Sequence, residues 1–551
     1  PGPCSDLHGS RRACLRERRA DAESFEPAAG LRGGRGIDRG PIIAFDKGGL
    51  FQQNETSSKG PRRGPGTQTM YDVIVIGSDL SSLVAALLAA RYGRKTLLVS
   101  ESGLEDGLVR SGYHFNVDPF PWSGFAPGQI FSRLLSELNI PLPEPSRVSP
   151  LNPALQVILS EHRIDFFLDR DALLRDLARE YPGDDRQIHA LYQSVAKVGE
   201  TLERAVRETL ETRDRSLKGL MKSCLDMPFV MGEIWRLEQK IRSAAKQPSL
   251  GAVFDSELTL LSNLHVNHAK PLCSAYLLSL PWRGLYYHFG GKQRMLGQLR
   301  KRYEELRGET LPDCSVVAVR AGGRIEVDIR SRRKTAGLLA QQLVISAKSP
   351  ALEKVLSSNG RLSRLARRLR KVEIRRYPFT LHLGVDNRGL PDRMGEYIIH
   401  VPEPPAGGEC PWLFLEASVA DDTALAPQGK RTLAVTALLP RSPVGMPDGE
   451  LRAAAEGMLQ SLEGFLPFLR ENIDFMDLDG SIDIARRYQQ VVNPRYRFTG
   501  LSLPGLMSFP VRSPLPNVFL TGGMIFAGLG FEGEVLSGMK AGHLAAKDAE
   551  R

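Results

Sequence analysis

The chain has 551 residues, 42% hydrophobic and 7% aromatic, with 73 Lys and Arg against 63 Asp and Glu. That is ample sequence for a core and two or more domains, while a net charge of +10, of which residues 1–69 alone carry +4, is too thin a surplus to indicate a nucleic-acid partner. Six scattered cysteines with no Cys-x-x-Cys pair argue against a disulfide scaffold or structural zinc and for a reducing, cytoplasmic setting. The longest apolar run, Leu83–Ala90, is far short of the ~20 residues of a membrane-spanning helix.

Residues 1–69 hold 12 Gly and 6 Pro without apolar periodicity, which reads as a disordered extension. Met70 follows directly, and one reading is that the natural start lies there, the alternative being a flexible arm. Tyr71 to Ile76 (YDVIVI) is the β-branched run of a strand buried on both faces of a parallel sheet. A turn, Gly77 to Ser82, leads to a helix expected over Leu83–Tyr92 and stopped by Gly93. A second strand, Thr96–Val99, ends in Ser100-Glu101. This is a βαβ unit of dinucleotide-binding length, with an acidic residue 24 positions after the first glycine, where ribose hydroxyls would be met. The glycine fingerprint survives only as Gly77-x-Asp79-x-x-Ser82. An ionised Asp79 within 4 Å of a phosphate would be repelled by ~4 kcal/mol at an effective dielectric of 20, against ~0.3–1 kcal/mol of attraction from the helix dipole. Repulsion wins unless Asp79 turns away to cap its own helix.

Further along, Gly112 to Pro119 (GYHFNVDP) and Phe120–Phe125 resemble the segment after the first βαβ unit in FAD-dependent oxidoreductases of the phytoene desaturase, carotenoid isomerase and amine oxidase superfamily. That family carries Arg-x-Gly-Gly just before it; here Leu104–Arg110 keeps Gly107 and displaces the basic residue. Gly284 to Met295 (GLYYHFGGKQRM) resembles the family's approach to a helix, which continues over Leu296–Leu306. The strand Cys314–Val319 then places Val316 where relatives meet the adenine, Arg324–Ile329 follows, and Leu343–Ala347 ends beside the cofactor. Pro516 to Gly523 (PNVFLTGG), then Gly528 to Gly538 (GLGFEGEVLSG) and an Ala/Gly-rich helix, resemble the terminal flavin-binding strand, loop and helix.

The resemblance implies an α/β fold: a Rossmann-type FAD-binding domain from discontinuous segments (70–145, 284–372 and 505–551) and a second α+β substrate domain (146–283 and 373–504) with a mixed sheet and helical cap. Helices are expected in 171–247 and strands at Phe379–Val385, Trp412–Glu416 and Thr432–Leu438. The implied cofactor is FAD, held by Gly77, Asp79, Leu80, Ser81, Ser82, Glu101, Ser102, Gly107, Val316, Ala347, Gly522, Gly523, Gly530, Phe531, Glu532 and Val535. On this expectation Glu101, Val316 and Gly530 line one pocket. The implied substrate is a small apolar, unsaturated or amine-type molecule, oxidised by hydride transfer to the flavin.

No Gly-x-Ser-x-Gly elbow, His-Glu-x-x-His or P-loop lysine is present. A flavin carries its own hydride chemistry, so the absence does not weigh against an enzyme. Tyr287 and His288 are catalytic candidates by position alone, with Phe526 and Phe531 as apolar walls; no metal site is expected. In 361–376 (RLSRLARRLRKVEIRR), Leu362, Leu365, Leu369 and Val372 recur at helical spacing among basic residues. This reads either as an interfacial helix on anionic lipid or, more commonly, as a solvated helix packed on the core. The missing glycines keep a second reading open, a non-catalytic binding protein on the same fold, like the Rab GDP-dissociation inhibitors. An NAD(P)-linked dehydrogenase is a weaker third, because no second Gly-rich βαβ unit is visible.

Overall fold

The computed structural model describes residues 69–101, 107–211, 228–265, 271–331, 334–402, 412–489, 491–498 and 509–549. The extension up to residue 68 and Ser102 lie outside them. Strand β1 (Met70–Ile76) sits mid-sheet because Tyr71 and Val73 to Ile76 are apolar on both faces and wholly buried. It pairs in parallel with β2 (Thr96–Val99) on one side and with the long strand Lys334–Ser346 on the other. Glu309–Leu311 extends the sheet beyond β2, and Val518–Thr521 pairs in parallel with Leu343–Ser346. Ile325–Ser331 and Cys314–Ala321 add an antiparallel flank. One seven-stranded sheet is thus assembled from three distant stretches of chain.

Helix α1 (Leu80–Arg91) is buried along its whole length from Ser81 to Ala90, as an Ala/Leu sequence without a polar face requires. Its observed start, three residues earlier than the apolar pattern indicates, is set by the Asp79 cap. The C-terminal helix Gly530–Asp548 packs on it through Gly538 and Gly542: a Cβ there would fall 2.4 Å from the Ser81 carbonyl and 2.7 Å from that of Ala85.

The second sheet has eight strands, with Glu373–Asp386 pairing antiparallel to Lys430–Leu439 at its centre. Phe379, Leu381, Leu383 and Val385 turn inward onto Leu451, Met458 and Leu462 of the helix Asp448–Glu463. The helices Arg170–Glu180, Asp185–Glu211 and Pro228–Ala244 match the helix-rich expectation for 171–247. Lys292 ties the start of its own helix, Lys292–Glu305, to the second sheet and to the loop 118–120. Its buried ammonium donates to the carbonyls of Asp118 and Phe120 and to Glu416 Oε1, each at 2.8 Å. Among the described residues no helix is long and apolar enough to cross a membrane.

Candidate functional site

At the end of β1 the chain turns through Gly77 into α1, and the Asp79 side chain folds back over the helix start. Its Oδ1 accepts hydrogen bonds from the Ser82 N–H (2.9 Å), Ser81 Oγ (2.7 Å) and Ser82 Oγ (2.7 Å). Its Oδ2 accepts from Ser346 Oγ at 2.5 Å, and Lys348 Nζ stands 4.0 Å away. Asp79, Ser81 and Ser82 are all buried. The partial positive charge at the N-terminus of α1 is therefore met by a carboxylate of the chain itself.

The corresponding turn at the C-terminal helix is packed as closely. Ala347 N–H donates to the Thr521 carbonyl at 2.7 Å and Gly522 N–H to Ser537 Oγ at 3.0 Å, which joins the two strand ends. Asn263 Nδ2 donates to the carbonyls of Gly523 (3.2 Å) and Gly530 (3.4 Å). A Cβ on Gly523 would lie 2.5 Å from Asn493 Oδ1, and one on Gly530 only 1.9 Å from the Leu261 carbonyl. These glycines make room for Leu261–Asn263 and Asn493. Glu532 is turned away as a buried acceptor for Ser123 Oγ (2.7 Å) and Tyr276 OH (2.5 Å), with Arg283 Nη2 at 3.7 Å; Val535 is core. Glu534, one residue earlier, accepts from Asn493 Nδ2 at 2.5 Å. Burial above all pushes its carboxyl up to about 7, with Asp79 adding and Lys348 opposing.

Two cavities flank these turns. The smaller, about 50 Å³, is lined by Gly77, Asp79, Leu80, Asp118, Phe531 and Glu534, with Arg300 on its wall; Phe531 stacks on Trp122 with centroids 4.9 Å apart. The larger, about 600 Å³, lies between Ala347–Pro350, the helices Leu352–Ser357 and Ser363–Leu369, the start of the strand Glu373–Asp386, and Met524. Leu352, Leu356, Leu369, Val372, Tyr377 and Met524 give it a mainly apolar wall.

The sequence-derived residues divide among these places. Gly77, Asp79, Leu80 and Phe531 share the small cavity, and Ala347 faces the large one. Glu101 accepts a hydrogen bond from Ser349 Oγ, a wall residue of the large cavity, and the Val316 carbonyl accepts one from Lys354 Nζ on the helix Leu352–Ser357; neither Glu101 nor Val316 is itself in that wall. Gly530 is packed against Leu261 instead, and the expected convergence of Glu101, Val316 and Gly530 on one pocket is not what the geometry shows. Gly107, on the strand Gly107–Arg110, faces Gln293. Phe526 is wholly buried. Tyr287 donates to Asp422 Oδ2 (2.9 Å) and accepts from the Val419 N–H (3.1 Å), a joint between the sheets. His288 stands edge-on to Trp122 and Phe125, where burial and then Lys292 push its imidazole down to about 3. Both line only a void of about 20 Å³. Sequence reasoning missed Ser346, Lys348, Asn263 and Asn493. The first two were legible as polar residues at the end of a strand that adjoins β1; Asn263 carries no local signal, 260 positions from Gly523. Among the described residues no His, Cys, Asp and Glu gather as metal ligands.

A parallel sheet opened by β1, α1 and β2 and closed by a C-terminal strand and helix defines the class: this is a fold shared with solved oxidoreductases, a putrescine oxidase among them. The chain is similar to the chloroplastic prolycopene isomerases of Daucus carota, 22% identical across 88% of this chain and 81% of that protein, and of Arabidopsis thaliana, 22% identical across 88% and 84%. Among solved structures it is similar to an oxidoreductase from Methanosarcina mazei (TM-score 0.52, 13% identity, 85% of this chain and 99% of the other). A putrescine oxidase double mutant from a redesign of cofactor binding gives a TM-score of 0.53 at 13% identity, over 87% and 99%. No family model matches the chain.

FAD is the cofactor of this class, and the side chains test how it would be received. Glu101, at the end of β2 beside Ser349, suits a ribose. The pyrophosphate does not fit the arrangement described: Asp79 already takes the Ser82 N–H and the Ser81 and Ser82 hydroxyls at the start of α1, and Asp79, Asp118 and Glu534 all stand on the wall of the small cavity. A phosphate there would meet the carboxylates of Asp79 and Asp118, each costing ~4 kcal/mol at a separation of 4 Å and an effective dielectric of 20.

Proposed function

We propose that this chain is a binding protein for a lipophilic, unsaturated small molecule, built on the fold of the FAD-dependent oxidoreductases. The observation that carries the reading is the cavity of about 600 Å³ walled by Leu352, Leu356, Leu369, Val372 and Met524. Its size is in the range of small-molecule sites, and its apolar wall favours a ligand whose affinity comes from area removed from water, at ~25 cal/mol per Å². Polar groups in its wall, Tyr377 and Arg370 among them, suit a ligand with one polar end. Titration with a fluorescent polyene such as retinol tests this: one saturable site is expected, and no saturable signal overturns it.

A second reading is an FAD-dependent oxidoreductase or isomerase exchanging hydride between such a substrate and the flavin. The similarity to prolycopene isomerases across 88% of the chain favours it. Its signature is flavin absorbance that co-purifies in one-to-one ratio and bleaches on adding substrate without oxygen.

A further inference from the structure

We infer that Asp79 is a built-in substitute for the dinucleotide pyrophosphate and that the segment Leu261–Asn263 stands in for the flavin end, so that this chain excludes FAD while keeping the fold that elsewhere holds it. The inference deepens the binding-protein reading and rests on it for its biological sense, though it is measured separately.

Three observations point the same way. The first is consumption of donors. A pyrophosphate at a helix N-terminus is held by backbone N–H groups and nearby hydroxyls. Here the Ser82 N–H and the hydroxyls of Ser81, Ser82 and Ser346 all point at Asp79, within 2.5 to 2.9 Å. A buried carboxylate with this many donors is as well satisfied as a bound phosphate, and its removal would leave them unpaired.

The second is occupation of space at the other end. At Gly523 and Gly530 the space that a side chain would take is already filled. They face Asn493 Oδ1 and the Leu261 carbonyl, and Asn263 Nδ2 bridges the carbonyls of both glycines. The small residues are retained, but the chain's own backbone uses the room they make.

The third is charge. The remaining void of about 50 Å³ is bounded by Asp79, Asp118 and Glu534, against Arg300 on the same wall. Lys348 Nζ, 4.0 Å from Asp79, donates to the Val491 carbonyl at 3.1 Å. A pyrophosphate entering here must displace the Asp79 carboxylate and face that of Asp118.

The test titrates ADP, which carries the pyrophosphate without the flavin, and FAD against the full chain and its Asp79→Gly and Asp79→Asn variants by isothermal calorimetry. The native chain is expected to show no ADP or FAD binding at ~1 mM ligand, and Asp79→Gly to bind ADP at least tenfold more tightly, with FAD improving less because Leu261–Asn263 stays in place. Asp79→Asn keeps the shape and the fold while removing the charge, and is expected to bind ADP several-fold more tightly than the native chain. Native protein that carries stoichiometric FAD, or variants no better than native for ADP, would overturn the inference. Retinol titration of the same samples separates the two claims. Retinol binding alongside native FAD binding sinks the exclusion and spares the lipophilic site, whereas FAD exclusion without retinol binding sinks the site and spares the exclusion.

Discussion

The two cavities beside the strand ends differ more than tenfold in volume and in the charge on otherwise apolar walls. The one at the start of α1, about 50 Å³, sets Asp79, Asp118 and Glu534 against the single cation Arg300; the one beyond Ala347, about 600 Å³, adds Lys348, Arg370, Arg486 and Arg487 to a wall of Leu, Val, Met and Tyr. Both open from the same sheet, so the fold alone does not decide what is bound. A single side chain at a helix start, with four donors turned onto it, converts an anion site into a closed cap. The apolar cavity depends on no such point and persists. On the inferred exclusion of FAD, the scaffold and its dinucleotide site are separable features.

The comparison presumes that the two regions move as one body, and Lys292 is where that breaks. Lys292→Ala removes a buried cation from two carbonyls and leaves Glu416 buried and uncompensated, for which ~3–5 kcal/mol of lost stability is expected, read by urea unfolding. Next is the small cavity. The Glu534 carboxyl titrates near 7 in the fold against an ordinary 4.5, so the native state holds its proton more tightly than the unfolded chain. Its contribution is fully present below about pH 4.5 and is lost as pH rises towards 7. Relative to Glu534→Gln, the native chain should lose up to about 3 kcal/mol between those limits, measured by unfolding at several pH values; parallel curves would mean that Glu534 is ionised in the fold. Smaller again is a change in the large cavity. Leu356→Trp adds a ring to its wall and should weaken retinol binding about tenfold, or ~1.4 kcal/mol, with ADP binding unchanged.

Much of this was legible in the chain. The apolar run at 71–76, the strands at 96–99 and 314–319 and the closing strand and helix stand where periodicity and glycine put them, because buried parallel strands and their turns leave local signals. The identity of Asp79 as a cap was readable too, since Asp before an apolar helix has that local use. What the sequence did not disclose is long-range: that Ser346 completes the cap from another strand, and that Leu261–Asn263 fills the space beside Gly523 and Gly530. Glycine spacing reports that room exists and is silent on which part of the protein takes it. Tyr287 and His288 were drawn to the site by position, yet the one is held by Asp422 and the other by an aromatic cluster.

The least effect is expected on the outer face of the large cavity, where the basic helix Ser363–Leu369 offered two readings. Leu362, Leu365 and Leu369 are buried, and Leu369 and Val372 face the cavity, so the apolar stripe is spent on the ligand wall and the core. An interfacial helix needs that stripe free to enter the headgroup layer, because basic residues alone contribute only ~1 kcal/mol each and are screened by salt. Reversing Arg364 and Arg367 to Glu should therefore leave sedimentation with phosphatidylserine vesicles at ~0.15 M salt unchanged. Retinol affinity should be untouched as well, since neither residue lines the cavity. A several-fold loss of vesicle binding would show that the helix rests on lipid after all.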